Sequence, residues 1–215
     1  MPAAPQLLAR GPWDPDQVQA TWRDEHFDPP AERTEKADAA ITALADRGSP
    51  SHDGLAGRLV AHEEVDGHLR LELQPVRWAL RLVEDDASRS MAAMCIVRDR
   101  AGRWLAGRRA AWLASWPGRW ALGAGGAVDL GESPFTTLTR ELDEEWSVSA
   151  ERVRGEALVL LPHGLVMFIG QAWLPEGAEV QADHEHDTHA WWPEDPAQWP
   201  PEADEPLRRV AGMLR

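Results

Sequence analysis

Tyrosine is absent from the chain of 215 residues, phenylalanine occurs three times and cysteine once, at Cys95. A single cysteine excludes an internal disulfide framework and fits a reducing compartment. No apolar run approaches the roughly 18 residues that span a bilayer, so no membrane partner is expected. The N-terminus lacks the basic and apolar regions of a secretory signal, and a cytoplasmic location is the expectation. Positive charge is also short: 22 Lys and Arg stand against 36 Asp and Glu, a net charge of −14. That balance opposes non-specific binding to nucleic acid. A small phosphorylated substrate remains compatible, because a bound metal reverses the local sign. Against these deficits stand twelve tryptophans. Many are expected in the core, and some are available to stack on a base.

The most informative stretch runs from Gly123 to Val148. Gly123, Gly125, Gly126 and Gly131 surround a turn where backbone bends or approaches something closely. Ser133-Pro134 then opens a helix, with serine at the N-cap and proline at the first helical position. Nothing breaks that helix from Phe135 to about Trp146. Residues three and four apart share a helical face. Glu141, Glu144 and Glu145 therefore project to one side, the latter two within roughly 60° of Glu141. Phe135, Leu138 and Leu142 form a second stripe, turned roughly 100° away, that suits burial against a sheet. Three carboxylates on one face repel unless something positive sits among them. Arg140 is placed to neutralise one charge from the flank and to reach back to Glu132. A hard divalent ion suits the rest, since Mg²⁺ prefers carboxylate oxygen and usually brings a substrate phosphate with it.

Taken in order, Gly126, Glu132, Arg140, Glu141, Leu142, Glu144, Glu145 and Val148 resemble the box of the Nudix hydrolases, G-x5-E-x7-R-E-U-x-E-E-x-G-U with U aliphatic. Ser147 stands where that family has glycine, which bears on the helix exit and not on the carboxylates. The resemblance implies an α/β/α sandwich with a mixed β-sheet. It also implies a divalent-metal-dependent hydrolase, using Mg²⁺ or Mn²⁺, that cleaves the pyrophosphate linkage of a nucleoside diphosphate joined to some group X. Glu141, Glu144 and Glu145, with the Gly125 carbonyl, are the metal ligands it implies. Glu132 and Arg140 would tie loop to helix, and Glu145 or Glu185 would orient or deprotonate water. Relatives are often dimeric, which makes a homodimer a candidate assembly.

The similarity extends more weakly over about Met91 to Arg215, towards the MutT type. Arg108-Arg109-Ala110-Ala111 resembles an upstream segment there, and either arginine suits a phosphate clamp or, equally, a surface ion pair. Gly126 is a position where backbone is free to meet substrate. Glu185 precedes Trp191 by six residues, like a further metal ligand or base in those proteins. Asp204 lies near where they read the base. An ionised carboxylate only accepts hydrogen bonds, so a different base preference is expected. Asp183 to His189 offers imidazoles and carboxylates that could form a zinc site, but a solvated acidic loop is the favoured reading. Cys95 lies in an apolar strand and reads as an inert core residue, not a nucleophile. The alternative to an enzyme is a nucleotide-sensing or interaction module on the same fold that has lost turnover.

Along the rest of the chain, residues 1 to about 12 are expected to be poorly ordered. A short helix is expected from Asp14 to about Glu25, and another from Ala31 to Ala45. Arg58 to Val65 and His68 to Val76, joined by Asp66-Gly67, read as a hairpin. His52, His62 and His68 read as surface or packing residues. Residues 1–86 thus form a helical and hairpin extension, packed on the core or on a partner chain, and 87–215 the core domain. Within the core, strands are expected at Met91 to Val97, Trp104 to Arg108, Trp120 to Leu122, Ala157 to Leu161, Val166 to Trp173 and Ala190 to Trp192. A closing helix is expected from Pro206 to Leu214, giving helices on both faces of a mixed sheet.

Overall fold

A computed structural model describes residues 4–49, 53–83, 88–113 and 116–214. His52 and the 86/87 boundary lie outside them. The strands are β1 (Gln6–Trp13), β2 (Val18–Trp22), β3 (Leu55–Val65), β4 (His68–Arg77), β5 (Met91–Arg98), β6 (Trp104–Arg109), β7 (Trp120–Leu122), β8 (Ala124–Ala127), β9 (Arg152–Leu160), β10 (Val166–Trp173) and β11 (His186–Trp192). The α-helices are α1 (Ala31–Asp46), α2 (Pro134–Trp146) and α3 (Glu205–Met213).

The large sheet runs β1-β9-β10-β5-β6-β11, with β7 beside β6 and β8 beside β5. It is mixed: β10 lies parallel to β5, and its other pairings are antiparallel. Alternation along β5 sets its two faces. Met91, Ala93, Cys95 and Val97 join Phe135, Leu138, Leu142 and Trp146 of α2 on one side. Ile96 points the other way, packing with Trp104, Ala106, Leu122, Trp192 and with Leu207 and Ala211 of α3. The α/β/α sandwich is therefore present, with one apolar layer on each side of the sheet. Among the described residues no helix is long and apolar enough to cross a membrane.

A small sheet, β2-β4-β3, packs on the α2 side, where Leu59, Leu69, Leu71 and Leu73 share the same core. The Asp66-Gly67 hairpin forms as expected, both residues having positive φ. Two N-terminal expectations fail. Residues 6–13 form the edge strand β1, antiparallel to β9, because Trp13 is fully buried and stacks on Phe168 at 6.1 Å between ring centroids. The helix expected from Asp14 does not form either. A single 3-10 turn, Pro15–Gln17, leads into β2, which pairs in parallel with β4. Val-Gln-Ala-Thr-Trp carries a β-branched, alternating pattern, and a ready partner strand outweighs the weak helix signal.

Candidate active site

The backbone before α2 explains where the acids meet. Gly123 has φ +62°, and a Cβ there would overlap the Cys95 carbonyl, so only glycine lets β8 lie so close to β5. A Cβ on Gly126 would overlap the Glu141 carboxylate. Ser133 caps α2 by accepting the Thr136 N–H at 3.2 Å, with Pro134 at the first helical position. At the other end Ser147 takes φ 53° and ψ 39°, and its N–H donates to the Asp143 carbonyl at 2.8 Å. Serine therefore keeps the left-handed exit that glycine favours, at a cost in backbone strain. Ser147→Gly is expected to raise stability by about 0.5–1 kcal/mol, read as a rise in Tm with turnover unchanged. A fall in Tm would show that the exit is not strained.

Arg140 is the hub of the loop–helix junction. Its Nε and Nη2 donate to the two carboxylate oxygens of Glu132 at 2.8 and 3.1 Å. Nη2 also donates to the Ala127 carbonyl at 3.1 Å, and Nη1 donates to Glu141 at 2.7 Å and Glu144 at 3.0 Å. All five guanidinium N–H groups are engaged. Arg140 thus neutralises more than the single charge its position on the flank suggested. Burial pushes the Glu132 carboxyl up, but Arg140, the Thr137 hydroxyl and the Asp129 N–H outweigh it and leave it below the usual range.

Beyond Arg140 the acids crowd. Glu145 is 4% exposed and accepts the Gly125 N–H at 3.0 Å. Burial raises its carboxyl well above the ordinary value, and Glu141 and Glu185 add to that. Burial likewise raises Glu141, helped by Glu144 and Glu185 and opposed by Arg140. Burial also raises Glu185, with Asp183 and Glu144 in support and Arg109 opposing. Glu185, two strands further along the chain, therefore lies within electrostatic reach of all three helical acids. Among the described residues no three His, Cys, Asp or Glu side chains already converge as a metal cage. Nη1 of Arg140 fills the gap between Glu141 and Glu144 instead. The donor set still suits a hard divalent ion: oxygen ligands of one sign, held at mutual cost, with Glu144 exposed and paired only at its tip with Arg140.

The remaining candidates divide. β6 alternates, so Leu105 and Gly107 face α2 while Trp104 and Ala106 face α3. Arg109 accordingly falls on the α2 side, 3.7 Å from Glu185. Arg108 falls on the other side, 3.7 Å from Asp187. Asp204 caps α3 by accepting the Leu207 N–H at 3.2 Å, and it is ion-paired with Arg119. These contacts draw Arg108 and Asp204 away from the acids. His62 and His68 make backbone contacts only, as packing residues do.

Sequence reasoning passed over His186. The stretch 183–189, read there as a solvated acidic loop, starts β11 three residues inside it, and His186 is buried at 6% exposure. Its ring packs on Trp146 at 4.5 Å between centroids. Nδ1 lies 3.3 Å from Asp183, and Nε2 lies 3.7 Å from Oε2 of Glu145. Burial lowers its pKa against the pull of Asp183, keeping the imidazole neutral near pH 7. Room for it exists because position 107 is glycine: a Cβ there would collide with both His186 and Trp146. The pairing of Gly107 on β6 with His186 on β11 carries no recognisable sequence signal. Cys95 is fully buried, and burial pushes its thiol up to about 12, which suits packing and not nucleophilic attack.

No curated protein is similar enough to stand as a relative. Among solved structures, a MutT NUDIX hydrolase from Burkholderia pseudomallei is 20% identical, over 59% of this chain and 98% of its own, at a TM-score of 0.47. The MutT protein of Methanosarcina mazei Go1 is 22% identical, over 48% and 76%, at 0.41. A C. elegans Ap4A hydrolase is 22% identical, over 58% and 97%, also at 0.41. Residues 88–211, more than half of the chain, match the family described as NUDIX domain. With its box of acids placed around one glycine-lined bend, the chain belongs to the Nudix family of hydrolases.

Proposed function

We propose that this protein hydrolyses the pyrophosphate linkage of a nucleoside di- or triphosphate derivative, a nucleoside diphosphate joined to a group X, with Mg²⁺ or Mn²⁺ as cofactor. The observation that carries the reading is the gathering of Glu141, Glu144, Glu145 and Glu185, with three of the carboxyl pKa values raised and Arg109 at the rim. Acids held so against their own repulsion mark a place built for a cation. Glu141, Glu144 and Glu145, together with the Gly125 carbonyl, would hold it once Glu144 lets go of Arg140. The bound ion supplies charge neutralisation for the diphosphate and acidifies an attacking water. Glu185, one third exposed, would take the proton of an attacking water on a carboxylate oxygen. Arg109 offers a guanidinium to phosphate oxygens. The Gly125 N–H would keep Glu145 aimed, with the His186 ring beside its other oxygen. Ser147, standing where the family has glycine, leaves the helix exit intact.

The test is a panel of nucleoside triphosphates, nucleotide sugars, ADP-ribose and dinucleoside polyphosphates with Mg²⁺ or Mn²⁺, products identified. At least one member should be cut between phosphates, and Glu144→Gln should abolish the cut. If none is cut, the hydrolytic reading is lost; recovery of tightly bound intact nucleotide would favour the sensing module.

A pH dependence follows from the same acids. Glu141, Glu145 and Glu185 have folded-state pKa values above the ordinary carboxylate value of about 4.5. Their contribution to stability is complete below about that pH and is lost as pH rises through the folded values. Without metal, Tm should therefore fall from about pH 5 towards pH 8 as far as these groups decide it. Metal competes with protons for the same oxygens, so the rise in Tm that Mg²⁺ produces should grow over that interval. An Mg²⁺ shift independent of pH would count against carboxylates as the ligands.

A further inference from the structure

The N-terminal portion carries no motif, yet it reaches the catalytic bend directly. The N–H of Gly57 donates to the Val128 carbonyl at 2.6 Å, and the N–H of Leu130 donates to the Leu55 carbonyl at 3.1 Å. Between them Ala56 and Asp129 form an isolated antiparallel bridge. The end of β3 thus extends the segment that leads from β8 into α2. Trp22, last residue of β2, completes the grip: its indole N–H donates to the Glu132 carbonyl at 3.0 Å. Gly57 makes the close approach feasible, since a Cβ there would sit 3.1 Å from the Trp22 ring and 3.4 Å from the Val128 oxygen.

The carboxylate of that same Glu132 carries Arg140, and Arg140 carries Glu141 and Glu144. We infer that Trp22 is a positioning residue for the metal-holding acids, acting through Glu132 and Arg140, and that the small N-terminal sheet serves as a brace for the catalytic bend. The hydrogen bond from Trp22 goes to Glu132 and not to the acids on α2, so its effect is indirect. The inference rests on the hydrolase reading for its purpose, but its first readout does not.

Trp22→Phe in the full chain keeps the ring and removes the donor. The Arg140 Nε–H resonance, which reports its bond to Glu132, should shift or broaden. Mn²⁺ affinity, followed by electron paramagnetic resonance, should weaken on the order of twofold to tenfold, the effect of one lost hydrogen bond. On a cleaved substrate, kcat should fall by a similar factor with KM held. Leu71→Val, in the same small sheet but away from the bend, is the control for general loosening. Should Trp22→Phe prove too unstable, Gly57→Ala pushes on the same contact and should move the same signal. An Arg140 resonance no more disturbed than in Leu71→Val, with Mn²⁺ affinity kept, overturns the inference. If the wild-type protein cuts nothing, the hydrolase reading fails while the Arg140 signal still decides this one.

Discussion

Glu145→Gln is expected to lower kcat by about 100- to 1,000-fold, the range seen when one preorganised electrostatic partner of a transition state is removed. The reasoning starts from burial. Glu145 is almost sealed from water, with one oxygen on the Gly125 N–H and the other beside His186. Without a cation its raised pKa favours the protonated acid. Glutamine copies the shape and the neutrality of that acid, so the metal-free fold should lose little, and Tm without metal should stay near wild type. What glutamine cannot do is become the anion that a divalent ion requires. The Mg²⁺-dependent rise in Tm should therefore shrink together with kcat. Substrate KM should change less, because the phosphate contacts proposed for Arg109 do not involve Glu145. Two measurements decide it, single-turnover rates and melting curves with and without Mg²⁺. Rates within a few-fold of wild type would remove Glu145 from the reaction.

The behaviour of this residue also shows what could be read in advance. Its helix, cap, stripe and shared acidic face were legible because they depend on spacing within some fifteen residues. Ser133 and Pro134, the Asp66-Gly67 hairpin and the alternating β5 are signals of the same local kind. β1 and β2 were not legible, since their strand state depends on β9 and β4, far along the chain. Pro- and Ala-rich composition around β1 hid the one residue that fixes it, Trp13. His186 escaped for a related reason. Its burial beside Glu145 needs an absent side chain at Gly107 and a flat ring at Trp146, and neither lies near it in sequence. Arg140 was placed on the correct flank, but its share was underestimated. Spacing shows which acids are adjacent; only the fold of the bend brings Glu132 and the Ala127 carbonyl to the same guanidinium.

That guanidinium supports the second large effect. Arg140→Ala should destabilise the protein by about 3 kcal/mol at neutral pH, the low end for breaking a buried ion pair and leaving its partners charged. The low end applies because the Arg140 side chain is 26% exposed and water can partly enter. For a chain of this length such a loss lowers Tm by about 6–12 °C. Arg140→Lys should recover only a minor part, because an ammonium cannot offer the fork that meets both oxygens of Glu132 while holding Glu141. The deficit should also depend on pH. In the wild type Glu132 sits below its ordinary pKa, so its contribution is present above about pH 4.5 and lost as pH falls through the lower folded value. Without Arg140 only the Thr137 hydroxyl and the Asp129 N–H still oppose the burial of Glu132, protonation becomes easier, and the deficit should narrow as pH falls from neutral. Removing Arg140 also releases Glu141 and Glu144 from Nη1 and leaves them open to Mg²⁺ as a countercharge. The variant should accordingly gain more Tm from Mg²⁺ than the wild type while turning over slowly, because ions held by misaligned acids do not place the diphosphate. A variant that melts within about 2 °C of wild type at neutral pH would mean that Arg140 is solvated and that the junction between bend and helix is held by something else.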